Sequence, residues 1–351
     1  GTYKVSKLYD GTTAPGTAVE GGALDVDGIL PADEATVSVV PGTIPAYSDS
    51  VAKSDYRLDI PISITGDDTY HNYRIANAGS IVNVPAEIRQ TAGQVTNIED
   101  LSKTYDGQPV NAPTFTKKGT GTATIEYRKQ TEPDSAYTTT EPKDAGDYTV
   151  KVSVAADNNY AAASATADFT ISKKEVTING TTVAATRVYD ATTVAEITND
   201  GTLSANYDGS NLTIKRGTAS YDNKNVGDNK PVTFKGFALN GSAKDNYTLK
   251  GQPAPTSATI TKKTISVTGT AIAAKVYDGT TAATLSGTRT LNGVETDDDV
   301  SLSDGTVEFA DKNVGTGKTV NVTGDFTLTG TDAGNYTLTQ PSNLTGTITA
   351  C

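Results

Sequence analysis

The stretch Lys275-Val276-Tyr277-Asp278-Gly279-Thr280-Thr281 decides the reading of this chain, because its central triplet occurs four times. Tyr9-Asp10-Gly11, Tyr105-Asp106-Gly107 and Tyr189-Asp190-Ala191 are the other copies, each with a cation two residues ahead of the tyrosine: Lys7, Lys103, Arg187 and Lys275. Successive tyrosines stand 96, 84 and 88 residues apart. That period exceeds a solenoid unit and suits a whole small domain. Each interval also closes alike, in Pro85-Ala86-Glu87-Ile88, Asp168-Phe169-Thr170-Ile171, Ala258-Thr259-Ile260 and Gly346-Thr347-Ile348.

Between these markers Thr, Val, Tyr and Ile alternate with polar residues, as in Tyr148-Thr149-Val150-Lys151-Val152-Ser153-Val154 and Thr319-Val320-Asn321-Val322-Thr323. Period-two alternation of β-branched residues is the pattern of a half-buried strand. Turn pairs such as Asp208-Gly209, Asn240-Gly241, Asn292-Gly293 and Asp304-Gly305 interrupt it. No long amphipathic pattern suggests a helix. The expected fold is all-β: four tandem Ig-like β-sandwich domains, arranged end to end as an elongated rod.

Asp144-Ala145-Gly146-Asp147-Tyr148 and Asp332-Ala333-Gly334-Asn335-Tyr336 share an Asp-x-Gly-x-Tyr pattern. It has the form of the tyrosine corner of Ig-type domains, so Tyr148 and Tyr336 are expected to point inward. Weaker versions are Asp245-Asn246-Tyr247 and Asn72-Tyr73. The cysteine expected two residues further on is replaced by Val150, Leu338, Leu249 and Ile75, so the cores rely on apolar contact.

Taken together, Lys275–Thr281, Phe309-Ala310-Asp311-Lys312-Asn313-Val314-Gly315 and Asp332–Leu338 resemble the tandem YDG repeats of large bacterial surface adhesins. The third repeat matches in the same order, through Arg187–Asp190, Tyr221-Asp222-Asn223-Lys224-Asn225-Val226-Gly227 and Asp245–Tyr247. The second lacks the Asn-Val-Gly block and looks more like the related MBG modules, and the first is the most divergent. The resemblance implies domains at 1–90, 91–173, 174–262 and 263–351, on the bacterial cell surface, with neighbouring domains of the same protein as partners. It names a module type and no activity. Ala191, standing where the other copies have glycine, is read as a sign that the turn does not require a positive φ.

Joints between repeats are short, as in Ile171-Ser172-Lys173-Lys174-Glu175-Val176 and Ile260-Thr261-Lys262-Lys263-Thr264-Ile265, without the Gly and Ser of a flexible linker. Strands of about seven residues at ~3.4 Å each, plus end loops, give sandwiches of ~35 to 40 Å and a rod of roughly 150 Å.

Composition narrows the function. A net charge of −12 over 351 residues, with no basic cluster, disfavours nucleic acid and anionic lipid. No apolar run reaches the ~20 residues of a membrane-spanning helix. The single cysteine, Cys351, permits no internal disulfide and no Cys-based metal site. A single imidazole, His71, and the absence of a phosphate-binding glycine loop argue against catalysis, and the missing tryptophan removes the usual sugar platform. Asp297-Asp298-Asp299 is a calcium candidate, as are Asp25 with Asp27 and Asp67 with Asp68. The favoured reading of Asp297–Asp299 is a solvated turn before a strand. The cation before Tyr-Asp invites an isopeptide bond from Lys103 or Lys275, but Arg187 at the same place cannot form one, so a surface cation is expected, with the aspartate capping a turn and the ring packing on the sandwich end. For a host glycan or extracellular protein, the candidate ligand surface is Tyr70, His71 and Tyr73 in the first repeat. The expected function is a non-enzymatic stalk, with direct adhesion through the first repeat as the alternative.

Overall fold

The computed structural model describes residues 4–15, 18–20, 38–65 and 80–351. It is half strand and 4% helical, and among the described residues no helix reaches seven residues, so the fold is all-β. Among the described residues no helix is long and apolar enough to cross a membrane. Two compact units emerge, Gly1–Lys173 and Lys174–Cys351, each holding two of the sequence repeats.

Within both units one backbone frame recurs. The strand leading into each Tyr-Asp triplet lies parallel to the strand that closes the repeat: Lys4–Leu8 beside Ser80–Arg89, Lys103–Thr104 beside Ala163–Ser172, Thr186–Val188 beside Thr256–Thr261, and Lys275–Val276 beside Leu344–Thr349. The tyrosine's own N–H completes the ladder. Tyr9, Tyr105, Tyr189 and Tyr277 donate to the carbonyls of Arg89, Ser172, Thr261 and Thr349 at 2.8 to 2.9 Å. Each acceptor follows the closing isoleucine, which is why both markers recur at matched spacing.

Alternation produces the cores. In the second repeat Gly146–Val154 pairs antiparallel with Ala163–Ser172 and Ala123–Lys129. Val150, Val152 and Val154 are buried while Lys151 and Ser153 between them face outward. Each buried valine contributes about 1.5–3 kcal/mol of transfer free energy. The fourth repeat packs Val307, Phe309, Val320, Leu344 and Ile348 of one sheet with Leu302 and Ile272 of other strands and with Phe326, which directly precedes the strand Thr327–Thr329. In the third, Tyr189, Tyr221, Val232, Phe234 and Ile260 form a cluster that runs on into Ile265 and Tyr336 of the fourth. Only Lys262 separates the strands Thr256–Thr261 and Lys263–Thr268.

The triplet turn corrects one expectation. Ala191 has φ +60°, in the same left-handed region as Gly11, Gly107 and Gly279 at +81°, +77° and +80°. The position does demand a positive φ, and alanine adopts it because the flanking aspartate and cation hold the turn. A Cβ at Gly11 or Gly279 would meet nothing within 4 Å, so the penalty is conformational and not steric crowding. Left-handed alanine costs roughly 1–2 kcal/mol, partly offset by the lower unfolded-state entropy of alanine. Ala191→Gly is therefore expected to stabilise the unit 174–351 by about 0.5–1 kcal/mol in denaturant unfolding.

Candidate functional site

The four triplets build one device. The aspartate Oδ1 accepts the N–H two residues on, from Thr12, Gln108, Thr192 and Thr280, at 2.9 Å each. The upstream cation reaches the same carboxylate: Lys7 to Asp10 at 2.8 Å, Lys103 to Asp106 at 2.7 Å, Lys275 to Asp278 at 2.9 Å, and Arg187 to Asp190. Lys7 also donates to the carbonyls of Thr12 and Ala14, and Lys275 to those of Thr280 and Ala282. These are not the surface cations expected from sequence, for the Lys7 side chain is only 4% exposed. They are clamps that tie the turn to its strand, a task that arginine performs as well as lysine. The Lys275 ammonium and the Thr280 N–H hold the Asp278 carboxyl down at about 2. An ammonium so engaged is a charge partner and not a nucleophile for amide formation.

In the first and third repeats the clamped turn brings the tyrosine against a ring of the following repeat of the same unit. Tyr189 contacts Tyr336 edge to face at 5.3 Å between ring centres and 75°, and in the other unit Tyr9 contacts Tyr160 at 5.3 Å and 76°. Such pairs contribute about 0.5–1.5 kcal/mol beyond their buried area. The asparagine ahead of the second ring adds a hydrogen bond. Val226 N–H donates to Asn335 Oδ1 at 3.0 Å, and Ala52 N–H to Asn159 Oδ1 at 2.9 Å.

A buried carboxylate completes the joint between the third and fourth repeats. Asp298, its side chain 1% exposed, accepts the hydroxyls of Tyr189 at 2.8 Å and Tyr336 at 2.5 Å on Oδ2. Lys224 donates to its Oδ1 at 2.5 Å and reaches Asp332 at 3.0 Å. Burial pushes the Asp298 carboxyl up, but hydrogen bonds from Lys224, Tyr336 and Tyr189 outweigh it and leave it below the ordinary range. Lys224 is raised by the two carboxylates, and Tyr336 by burial and Asp298. In the third repeat the Tyr247 hydroxyl likewise donates to Asp208 at 2.7 Å and accepts the Tyr207 N–H.

Two expectations fall here. Asp298 is not part of a solvated turn. Its neighbours also point elsewhere: Asp299 caps Thr331, and Asp297 is in the left-handed region. Among the described residues no group of three or more His, Cys, Asp or Glu converges to hold a metal. Nor is Tyr336 a tyrosine corner. Tyr148 is one in geometry, its hydroxyl donating to the Asp144 carbonyl at 2.9 Å and its ring stacked on Phe169. Tyr336 instead opens a strand parallel to Lys263–Thr268, as Tyr247 does beside Lys174–Val176, while Tyr160 bridges to Thr91. The counterpart of Tyr336 in the second repeat is thus Tyr160, at the recurring Asn-Tyr of Asn159-Tyr160, Asn246-Tyr247 and Asn335-Tyr336. What sequence reasoning missed is Asn159-Tyr160 as the second repeat's copy of that dipeptide, and the part that the dipeptide and Lys224 play at the joints.

Tyr70, His71 and Tyr73, with Asp25, Asp27, Asp67 and Asp68, lie outside the described residues. A polar hollow of about 620 Å³ lies against the outer face of the second repeat's sheet, near Arg128, Tyr137, Lys151 and Asp168. Its groups engage one another: Thr149 donates to Asp168 at 2.7 Å, and Arg128 pairs with Asp134 at 3.3 Å.

Comparison with known families agrees with this architecture. Residues 172–257 and 261–343 each match the model of the YDG domain, and residues 94–175 that of the MBG domain. No curated protein matches the chain.

Proposed function

From the premise that the chain carries an MBG domain followed by two YDG domains, the repeat region of a surface protein, we propose that it is a non-enzymatic stalk of a bacterial cell-surface adhesin. Four Ig-like sandwiches, at 1–90, 91–173, 174–262 and 263–351, stand end to end outside the cell and hold a binding domain at a distance. Their partners are the neighbouring domains of the same protein, and no cofactor enters the mechanism. Load passes along antiparallel ladders and apolar cores, and direction passes through the joints.

The joint between the third and fourth repeats carries this reading. One intervening residue, a shared apolar cluster, a ring pair and a buried charge network leave little freedom for bending there. A binding or catalytic role asks for converging groups free to meet a ligand, whereas the charged groups of this joint are spent on one another. Small-angle scattering of the whole chain is the test. A maximum dimension near 150 Å with a rod-like cross-section is expected from four strand-length sandwiches. A broad distribution of dimensions, as for beads on flexible linkers, overturns the proposal.

A further inference from the structure

In the third repeat the hairpin joining Thr218–Tyr221 to Gly227–Lys235 holds a lysine against an asparagine side chain, with a carboxylate spanning the two. Lys230 Nζ lies 2.7 Å from Asn223 Oδ1, and the amide carbon is one C=O bond, about 1.2 Å, beyond that oxygen. Asp222 accepts the lysine on Oδ1 at 3.0 Å and the Asn223 Nδ2–H on Oδ2 at 3.0 Å. Asn223 Oδ1 also accepts the Asn225 N–H at 3.0 Å, which fixes which end of the amide is the oxygen. Lys230 is 8% exposed, and its stem lies along Gly227, where a Cβ would meet it at 3.4 Å.

We infer that this hairpin is a modification site at which the chain cross-links itself, Lys230 Nζ displacing ammonia from the Asn223 amide with Asp222 as the proton carrier. The carboxylate takes a proton from the ammonium through Oδ1 and frees the amine lone pair. Nζ then adds to Cγ, and the negative charge gathering on Oδ1 is met by the Asn225 N–H. The Cγ–Nδ2 bond breaks as the two protons shed by Nζ pass, by way of Asp222, to the departing nitrogen, which leaves as ammonium and restores the carboxylate. An ammonium and a primary amide become a secondary amide and free ammonium, with no change of oxidation state and no co-reactant. Placing amine and amide side by side replaces a bimolecular encounter. Lys230 holds the Asp222 carboxyl below the ordinary range, so the pair rests as ions and joining is a slow step that follows folding.

Two contrasts single this hairpin out. Lys7 and Lys275 meet ionised carboxylates, threonine hydroxyls and backbone carbonyls, none of which is a side-chain amide. In the fourth repeat Lys318 lies 2.6 Å from Asp311, with Ala310 at the place of Asp222, so both the amide and the proton carrier are missing. The new bond closes residues 223–230 around Lys224, Asn225 and Val226, which meet Asp298 and Asn335 of the fourth repeat. It therefore fixes the loop that carries the joint. The chemistry depends on this hairpin alone and not on the chain being a stalk.

The test holds the full folded chain at neutral pH until its mass is constant, then denatures it and digests it with trypsin. Cleavage after Arg216, Lys224 and Lys235 yields 217–224 and 225–235, because Lys230 is followed by proline. These two peptides are expected to stay joined, and the intact chain to weigh one ammonia less than its sequence. Lys230→Arg, which keeps the cation, is expected to free the peptides and restore the full mass. Asp222→Asn is expected to slow joining by about 100-fold or more, the usual worth of a placed proton carrier. Free peptides and full mass in the parent overturn the assignment. So does a loss of ammonia with the peptides free, which is the signature of a succinimide. Joining at the parent rate in Asp222→Asn overturns the part given to Asp222.

Discussion

Asp298→Ala is expected to loosen the joint between the third and fourth repeats while leaving both folded. The carboxylate is the shared acceptor of two buried phenols and an ammonium. Removing it leaves the Tyr189 hydroxyl without that acceptor on a residue only 1% exposed. Lys224 keeps Asp332 at 3.0 Å, and Tyr336 keeps the Glu295 N–H, so the loss falls short of a fully stranded ion. Breaking a buried pair from one side costs about 3–5 kcal/mol, and an unsatisfied hydroxyl about 1–3. About 2–4 kcal/mol is expected here, or roughly 30- to 1000-fold in hydrogen-exchange protection. The amide to watch is Val226, whose acceptor Asn335 lies across the joint, with Val320 in the fourth core as the control. Asp298→Asn keeps an acceptor and should lose less. Equal loss at Val226 and Val320 would mean that the residue supports the fourth core and not the joint.

How much of this was legible in the sequence depended on the range of the interaction. Alternation at Tyr148–Val154 and the recurring isoleucines specify strands locally, and the strands are there. The Tyr-Asp turn was legible as a cap, because an aspartate accepting an N–H two residues on is a local event. Ala191 misled because a side chain records its tolerance of a backbone angle and not the angle itself. Asp144–Tyr148 and Asp332–Tyr336 are near-identical in composition yet differ in role. In the first, Gly146 opens a nine-residue strand; in the second, Ala333–Asn335 coil into a 3-10 turn and Tyr336 joins a different neighbour. Tertiary pairing decides that, and five residues do not encode it. Asp298 looked solvated because its partners, Tyr189 and Lys224, are 109 and 74 positions away. The signal that pointed to them was the repeated Asn-Tyr, read as a corner, and the repeated Lys-Asn-Val-Gly, left without an assigned task.

Raising the pH above 10 is expected to destabilise the unit 174–351 steeply, and phenylalanine substitutions should flatten that slope. Burial and a neighbouring carboxylate raise the phenols of Tyr189, Tyr336 and Tyr247, the last to about 12. The unfolded chain therefore loses these protons first. Their contribution is whole below pH 10, the ordinary tyrosine value, and is lost as pH climbs through the folded values. Lys224, raised above its ordinary 10.5, acts in the same direction. Asp298, lowered, acts at the other end: its contribution is present above about pH 4 and is lost in acid as pH falls through the folded value. Between those limits Asp298, Lys224, Tyr189 and Tyr336 keep their protonation states, so their network is unaffected by pH from about 5 to 9. Each phenol contributes a slope of up to about 1.4 kcal/mol per pH unit, and Tyr247 alone of the order of 2 kcal/mol between pH 10 and 12. Denaturant unfolding at pH 8, 10, 11 and 12, for the parent and for Tyr247→Phe and Tyr336→Phe, measures it. Both variants start less stable at pH 8, having lost a hydrogen bond, and then fall less than the parent. A parent and variants that decline in parallel would place the alkaline loss elsewhere and deprive the buried tyrosine–carboxylate contacts of the energetic role given to them here.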